Sequence, residues 1–372
     1  MDKHEEFTGW AELQGVKIYG IAAHQFPGRG LGIVARERCE AGKVLLTVPT
    51  SALRTPLTVP KTISIPLGKI TVHGLLAADL SLDKSEERSC WRDVLPSQED
   101  FKTSMPILWP PILHGLLPEA ASALLSSQIK KFELDWANVS GAFPALTRDH
   151  YLYNWLIVNT RTFYYVPPGT KPKKDHEDCM ALNPFADYFN HSSQGSKVEF
   201  GPEGFDVTSN KVYEEGEEIY ISYGKHSNDF LLAEYGFIMD ENDADHTRLD
   251  SVVISQMDAQ QLELVKDAGY LGNYVLDKNG VCYRTEVALR ALCIPARRWQ
   301  RFVDSGDDGE HDQAMVDKLL TKVLKLYVEK AQNLIKQLLS LELEGRSQVE
   351  TLVRRWNQIL LLLQGAIEDS VL

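Results

Sequence analysis

The 372-residue sequence predicts an α+β fold: a β unit interrupted by a helical region and followed by a C-terminal all-helical domain. Three observations carry that prediction. Short β-rich runs bounded by Gly or Pro fill Val16 to Pro49 and return at "KVEF", "FDVT", "NKVY" and "EEIYISYG". Between about Val72 and Arg161 the segments lengthen and their apolar residues recur at helical spacing. Beyond the acidic "DENDAD" the chain ends in two long amphipathic runs.

The first β unit reads "VKIYGIAA", "PGRGLGIVA" and "EAGKVLLTVP". Gly28, Gly30 and Gly32 suggest a dinucleotide loop, but that fingerprint must open a helix, whereas here the glycines lead into the strand-like "GIVA" with Ala35 at the third position. Taken alone they read as a glycine hairpin. The helical region contains "TVHGLLAADLSL", "PEAASALLSSQIKKFELDW" and "TRDHYLYNWLIVNTRTF". Arg161, at the end of the last, sits among Val158, Phe163, Tyr164 and Tyr165. An apolar setting demands a partner for a guanidinium, here either Asp187 or the carboxylate of a bound ligand.

In the second β stretch Ile219, Ile221 and Tyr223 alternate with Tyr220 and Ser222. "SNDFLLAEYGF" predicts a short helix with Ser227 or Asn228 as N-cap, Asp229 in the first turn where the helix dipole favours it, and Gly236 as C-terminal cap. From about Asp245 onward helices dominate. Leu319, Leu320, Val323, Leu324, Tyr327, Leu334, Ile335 and Leu338 share one face, and "VETLVRRWNQILLLL" follows Gly345. Two such helices joined by a short loop are expected to pack antiparallel. "SGDDGEHDQ" reads as a solvated loop, and no internal repeat is present.

Composition narrows the function classes. With 39 basic and 52 acidic residues the net charge is -13, which argues against nucleic acid or a membrane as the main partner and accommodates a basic protein. No run reaches the roughly 20 apolar residues of a membrane helix, and "MDKHEEFTGW" lacks a signal peptide's apolar core, so a soluble intracellular protein is expected. The five cysteines form no C-x-x-C pair and read as reduced, mostly buried thiols.

The densest chemistry lies in "ADYFNHS", where Asp187, Asn190 and His191 fall close together among aromatic residues. His191 is compatible with metal binding, with base catalysis or with a satisfied turn. A zinc site needs several ligands, and His176 with Cys179 has no matching second pair; no metal is expected. Ser192 lacks a G-x-S-x-G frame, so a serine hydrolase is not expected either. Tyr223, by itself, reads as a core aromatic at a strand end.

Taken in order, "GRGLGIVA", "VNTRTF", "LNPFADYFNHS", "YEEGEEIYISYG" and "SNDFLLAEYGF" resemble the SET-domain protein methyltransferases of the Rubisco large-subunit methyltransferase-like group. The glycine-rich opening, N-H-S and S-Y-G are specific to that fold as a set, far more than any one of them. "CWRDVLP" and "MPILWP" are similar to landmarks of the group's helical insert, and no Cys-rich tail follows "EYGF". The resemblance spans roughly Val16 to Met239. It implies a SET-domain β-fold of small sheets with a pseudoknot, split into 1–71 and 179–240 around an insert at 72–178, with a substrate-binding-like helical domain at 241–372.

The resemblance also implies S-adenosyl-L-methionine as cofactor and a protein-lysine N-methyltransferase acting on a non-histone substrate, such as a ribosomal or translation protein. Protein-histidine methylation and a non-catalytic binding module are the alternatives. A monomer in the cytoplasm, with the nucleus as a second location, is expected. By this resemblance Arg29, Gly30 and Leu31 hold the cofactor through their backbone, Arg161 pairs with its methionyl carboxylate, and Asn190 and His191 bind its methionyl and adenine parts. Tyr223 is the implied catalytic residue, also touching cofactor, while Tyr165, Asp187 and Tyr235 line the lysine side. In-line methyl transfer needs placement more than a base, and orientation supplies about 7 to 11 kcal/mol. Desolvation beside a sulfonium helps the amine lose its proton.

Overall fold

Alternating apolar residues build the first layer of structure. In the computed structural model, which describes residues 2–27, 30–167, 179–201, 204–305, 310–343 and 346–369, seven short strands form one hydrogen-bonded sheet. They are β1 (Lys17–Ile18), β2 (Ile21–Phe26), β3 (Gly30–Ala35), β4 (Val44–Pro49), β7 (Asn190–Phe200), β8 (Gly204–Thr208) and β9 (Glu218–Ile221), in the order β1-β4-β8-β7-β9-β3-β2. Strands β5 (Thr162–Tyr164) and β6 (Met180–Leu182) pair separately. Leu46 and Val48 on β4, Phe205 and Val207 on β8, and Ile219 and Ile221 on β9 are buried, as period-2 alternation requires.

Chain crossing in this sheet centres on β7. Its far half, Lys197 to Phe200, runs antiparallel to β8, while Asn190 and His191 pair in parallel with Tyr220 and Ile221 of β9. The register then jumps, so that Ser196 also faces Ile221. Gly195 permits this approach, because a Cβ there would collide with the Ile221 backbone. The result sets "NHS" beside the strand that leads into Tyr223.

The chain forms two compact units, Met1–Phe101 with Ser127–Lys225, and Lys102–Ser126 with His226–Leu372. In the first, an N-terminal helix, Lys3–Leu13, begins on an Asp2/Glu5 capping box and buries Phe7 and Ala11. Phe7 stacks near Trp10 and Trp91, and His4 Nδ1 lies 2.8 Å from the Tyr188 hydroxyl.

Helix Val72–Leu82 is capped by Thr71, whose hydroxyl accepts from the Gly74 amide at 2.9 Å. His73 stacks on Trp155 with ring centroids 3.9 Å apart and donates from Nε2 to the Trp155 carbonyl at 2.9 Å. Burial pushes this imidazole down to about 3. Because the unfolded chain takes up a proton near pH 6.5 and the native chain does not, this group's contribution is full above that pH and falls on acidification. Stability attributable to His73 is expected to drop by about 1.4 kcal/mol between pH 7.5 and 5.5. Urea unfolding of the parent and of His73→Phe, which keeps the stacking ring, checks this; parallel pH profiles would refute it.

In the second unit, the helix Asn228–Tyr235 is capped as the sequence predicts: Ser227 accepts from the Phe230 amide and Gly236 takes φ 80°. Helices Glu310–Leu339 and Arg346–Asp369 pack along each other, with Leu320, Val323, Leu324, Tyr327 and Leu338 buried on the expected face. Leu319, Leu334 and Ile335 are half-buried. This region also contains a three-stranded sheet, β10 (His246–Arg248), β11 (Val275–Asp277) and β12 (Gly280–Val281), so it is mainly rather than wholly helical. Strands of two or three residues are too short for alternation to register. Residues 102–126, within the expected insert 72–178, belong to this unit: the Trp356 indole donates to the Leu116 carbonyl at 2.9 Å and the Gln348 amide to the Lys102 carbonyl at 2.7 Å.

All five cysteines are free, two of them buried and three half-buried. Among the described residues no group of three or more His, Cys, Asp or Glu is placed to hold a metal ion, and no helix is long and apolar enough to cross a membrane.

Candidate active site

The site assembles where the β2–β3 hairpin meets β7 and β9. Phe26 pairs with Gly30 where β2 and β3 meet, in keeping with the glycine-hairpin reading, and Gly30 takes φ 77°. Gly28 and Arg29 lie outside the described residues. On β3, the Leu31 carbonyl accepts from Asn190 Nδ2 at 3.0 Å, so Gly30, Leu31 and Asn190 come together despite some 160 intervening residues.

Tyr223 holds His191 at one ring nitrogen and over one ring face. Its Nδ1 accepts the Tyr223 backbone N–H at 3.0 Å, and the ring lies near-parallel to that of Tyr223 with centroids 5.0 Å apart. A nitrogen that accepts an amide proton carries none of its own, so the neutral imidazole has its proton on Nε2. The Tyr223 hydroxyl donates to the Phe189 carbonyl at 2.6 Å. That bond fixes the direction of the phenolic hydrogen. Backbone, ring and hydroxyl of Tyr223 are thus all tied to "FNH".

The β5–β6 pairing explains how Arg161 reaches the same segment. Thr162 opposite Leu182 folds the end of helix Arg148–Arg161 back onto the chain entering Asn183. Arg161 Nη1 donates to the Asp187 carbonyl at 2.7 Å and lies 3.8 Å from its Oδ2. Of the two partners the sequence allows for this guanidinium, Asp187 is the one present. The Asp187 side chain is only 5% exposed; burial pushes its carboxyl up, and Arg161 and the Trp91 indole oppose that shift. Its carboxylate therefore faces Arg161 instead of open space. Arg161 Nε is buried and has no hydrogen-bond partner, a group whose desolvation calls for an acceptor.

Tyr165 is buried, edge-on to Phe200 at 5.1 Å and near Phe205 at 6.4 Å, and its amide donates to the Cys179 carbonyl. Its ring belongs to this aromatic cluster. Tyr235 ends the Asn228–Tyr235 helix in the second unit, and its hydroxyl is pushed up to about 12, chiefly by burial and further by Glu234. Sequence reasoning missed Glu218, whose Oε1 accepts from Asn190 Nδ2 at 2.8 Å and whose Oε2 accepts from the Tyr220 hydroxyl at 2.6 Å. In the sequence Tyr220 carries only its place in the strand's alternation, and Glu218 is one of several acids in "YEEGEEIYISYG". An acidic residue on the strand that leads into the site tyrosine is the signal that marks it.

Comparison with known proteins gives the arrangement its context. The profile of the SET domain matches residues 30–224, and that of the ribosomal lysine N-methyltransferase 2 C-terminal domain matches residues 245–369. Ribosomal lysine N-methyltransferase set11 of Schizosaccharomyces pombe is 26% identical, covering 86% of each chain. Human SET domain-containing protein 4 is 24% identical over 98% of this chain and 90% of its own. The structure of Rubisco LSMT bound to AdoMet has a TM-score of 0.63 at 19% identity, covering 100% of this chain and 92% of that one, which is a likeness of fold. Since the SET-domain profile spans more than half of the 372 residues, and includes β3, Arg161, "NHS" and Tyr223, the chain belongs to the SET-domain family.

Proposed function

We propose that this protein is an S-adenosyl-L-methionine-dependent protein-lysine N-methyltransferase acting on a non-histone protein, and that the substrate is a ribosomal protein. The observation that carries the reading is the convergence of the Gly30–Leu31 backbone, Asn190, His191 and Tyr223 through direct hydrogen bonds. Relatives named as ribosomal lysine N-methyltransferases support the substrate class, and the net charge of -13 suits a basic partner.

The residues present fit the cofactor. Arg161 Nε is a buried donor without an acceptor, which suits a carboxylate, and the space a Cβ would take at Gly30 is open. When bound, S-adenosylmethionine supplies an electrophilic methyl on sulfur. The Gly30 and Leu31 backbone would hold it, Arg29 lying outside the described residues, and Arg161, oriented by Asp187, would meet its carboxylate. Asn190 and His191 hold the methionyl and adenine parts. Tyr223 would present its oxygen to that methyl, and the ring of Tyr165 would serve the lysine side. The His191 imidazole, its Nδ1 occupied by the Tyr223 amide, is a binding group and not a base. We place the enzyme in the cytoplasm, with the nucleus as a second location, as a monomer without nucleic-acid or membrane partners.

Incubating the protein with radiolabelled cofactor and a ribosome-containing extract tests this directly. Label on a lysine of a ribosomal protein is the expected result. Methyl-histidine without methyl-lysine would overturn the lysine assignment, and failure of the protein to bind S-adenosylhomocysteine in calorimetry would overturn the enzyme reading.

A further inference from the structure

Gly32 lies where β3 passes beneath two polar side chains. A Cβ built there would stand 2.7 Å from Asn190 Nδ2, 2.7 Å from Glu218 Oε1 and 3.0 Å from the Phe26 ring. The absence of a side chain is what lets the amide and the carboxylate meet over the strand. Asn190 Nδ2 donates to Leu31 O at 3.0 Å and to Glu218 Oε1 at 2.8 Å, and the Tyr220 hydroxyl braces the carboxylate's other oxygen at 2.6 Å.

Both partners of Nδ2 are oxygens that accept, which dictates which end of the Asn190 amide is nitrogen. Two donors are consumed, so the side chain has only the carbonyl oxygen, Oδ1, to offer a ligand. A terminal amide turned the other way would present N–H groups instead, and those repel a cation. Orientation of this amide therefore decides whether the site attracts or rejects a positively charged group.

We propose that Glu218, steadied by Tyr220, is a positioning residue for the cofactor: it locks the Asn190 amide so that Oδ1 accepts from the ligand's cationic α-ammonium. The inference rests on the cofactor reading above and specifies its polarity at Asn190. Glu218 also pairs with Val34 across the sheet, so a purely structural part for it predicts lost stability with unchanged affinity.

Calorimetric titration of the full chain with S-adenosylhomocysteine, which carries the same α-ammonium, separates these readings. Glu218→Ala is expected to weaken binding about tenfold. Glu218→Gln, whose amide oxygen still accepts from Asn190, recovers most of that loss. In an Asn190→Ala background Glu218→Ala adds little further loss, since the group it positions is gone. As an arm independent of the alanine variant's folding, Asn190→Asp sets two carboxylates in contact and weakens binding, and adding Glu218→Gln to it restores a donor–acceptor pair and affinity. Parent-like affinity in Glu218→Ala, full multiplication of the Asn190→Ala and Glu218→Ala effects, or no restoration of Asn190→Asp by Glu218→Gln overturns the proposal. Absence of binding by the unaltered chain overturns the cofactor reading as well, a result distinct from any of these.

Discussion

Replacing Tyr223 with Phe is expected to lower turnover about 10²-fold, the scale on which enzymes lose rate when one oriented polar group is removed from the reacting centre. The ring's stacking on His191 and the backbone bond from the Tyr223 amide both survive the change, so affinity for S-adenosylhomocysteine stays within about threefold of the parent. The lost hydroxyl has a second consequence. The Phe189 carbonyl gives up its 2.6 Å donor, and a half-buried carbonyl left unsatisfied costs about 1 kcal/mol of stability. Methyl-transfer rates at saturating cofactor, with calorimetry and urea unfolding on the same variant, check all three. A turnover within about threefold of the parent would remove Tyr223 from the chemistry and leave it as a packing residue.

That experiment turns on a juxtaposition only partly legible in the sequence. The caps of the Asn228–Tyr235 helix are written locally, in Ser227 and Gly236, and the apolar face of Glu310–Leu339 is written in its periodicity; both kinds of signal survive without knowledge of the fold. The meeting of His191 with Tyr223 is not local. It depends on a parallel pairing with a register jump at β7–β9, which no spacing rule contains, and it became readable only through resemblance to a family. Asp229 stands in the first turn as read, yet its position has a second cause that no local pattern shows. Besides facing the helix dipole, it is buried against Arg355, a partner 126 residues away. Glu218 was hidden for a related reason: among the four acids of "YEEGEEIYISYG" nothing local says which carboxylate meets Asn190.

Arg355 carries the largest expected effect on stability. Its side chain is 0% exposed, with Nε donating to Asp229 Oδ1 at 2.7 Å, Nη1 to Asp245 Oδ2 at 2.7 Å and Nη2 to the His246 carbonyl at 3.2 Å. These bonds tie the last helix to the first turn of the helix that ends in Tyr235 and to β10. Removing one member of a buried ion set strands the others, so Arg355→Leu is expected to cost about 3 to 5 kcal/mol in urea unfolding at neutral pH. The pH dependence separates this cause from lost packing. Burial pushes the Asp229 carboxyl up and Arg355 pulls it back. Without the guanidinium the native carboxyl titrates further above its unfolded value, so the native state binds the proton first and the variant's stability rises as pH falls. Between pH 7 and 5 the deficit relative to the parent is therefore expected to narrow. Adding Asp229→Asn to Arg355→Leu removes the stranded charge, and the double variant is expected to recover part of the loss at pH 7 and to show a flatter profile. A deficit that stays constant across this range, in single and double variants alike, would identify packing of the arginine stem, and not charge, as what the second unit loses.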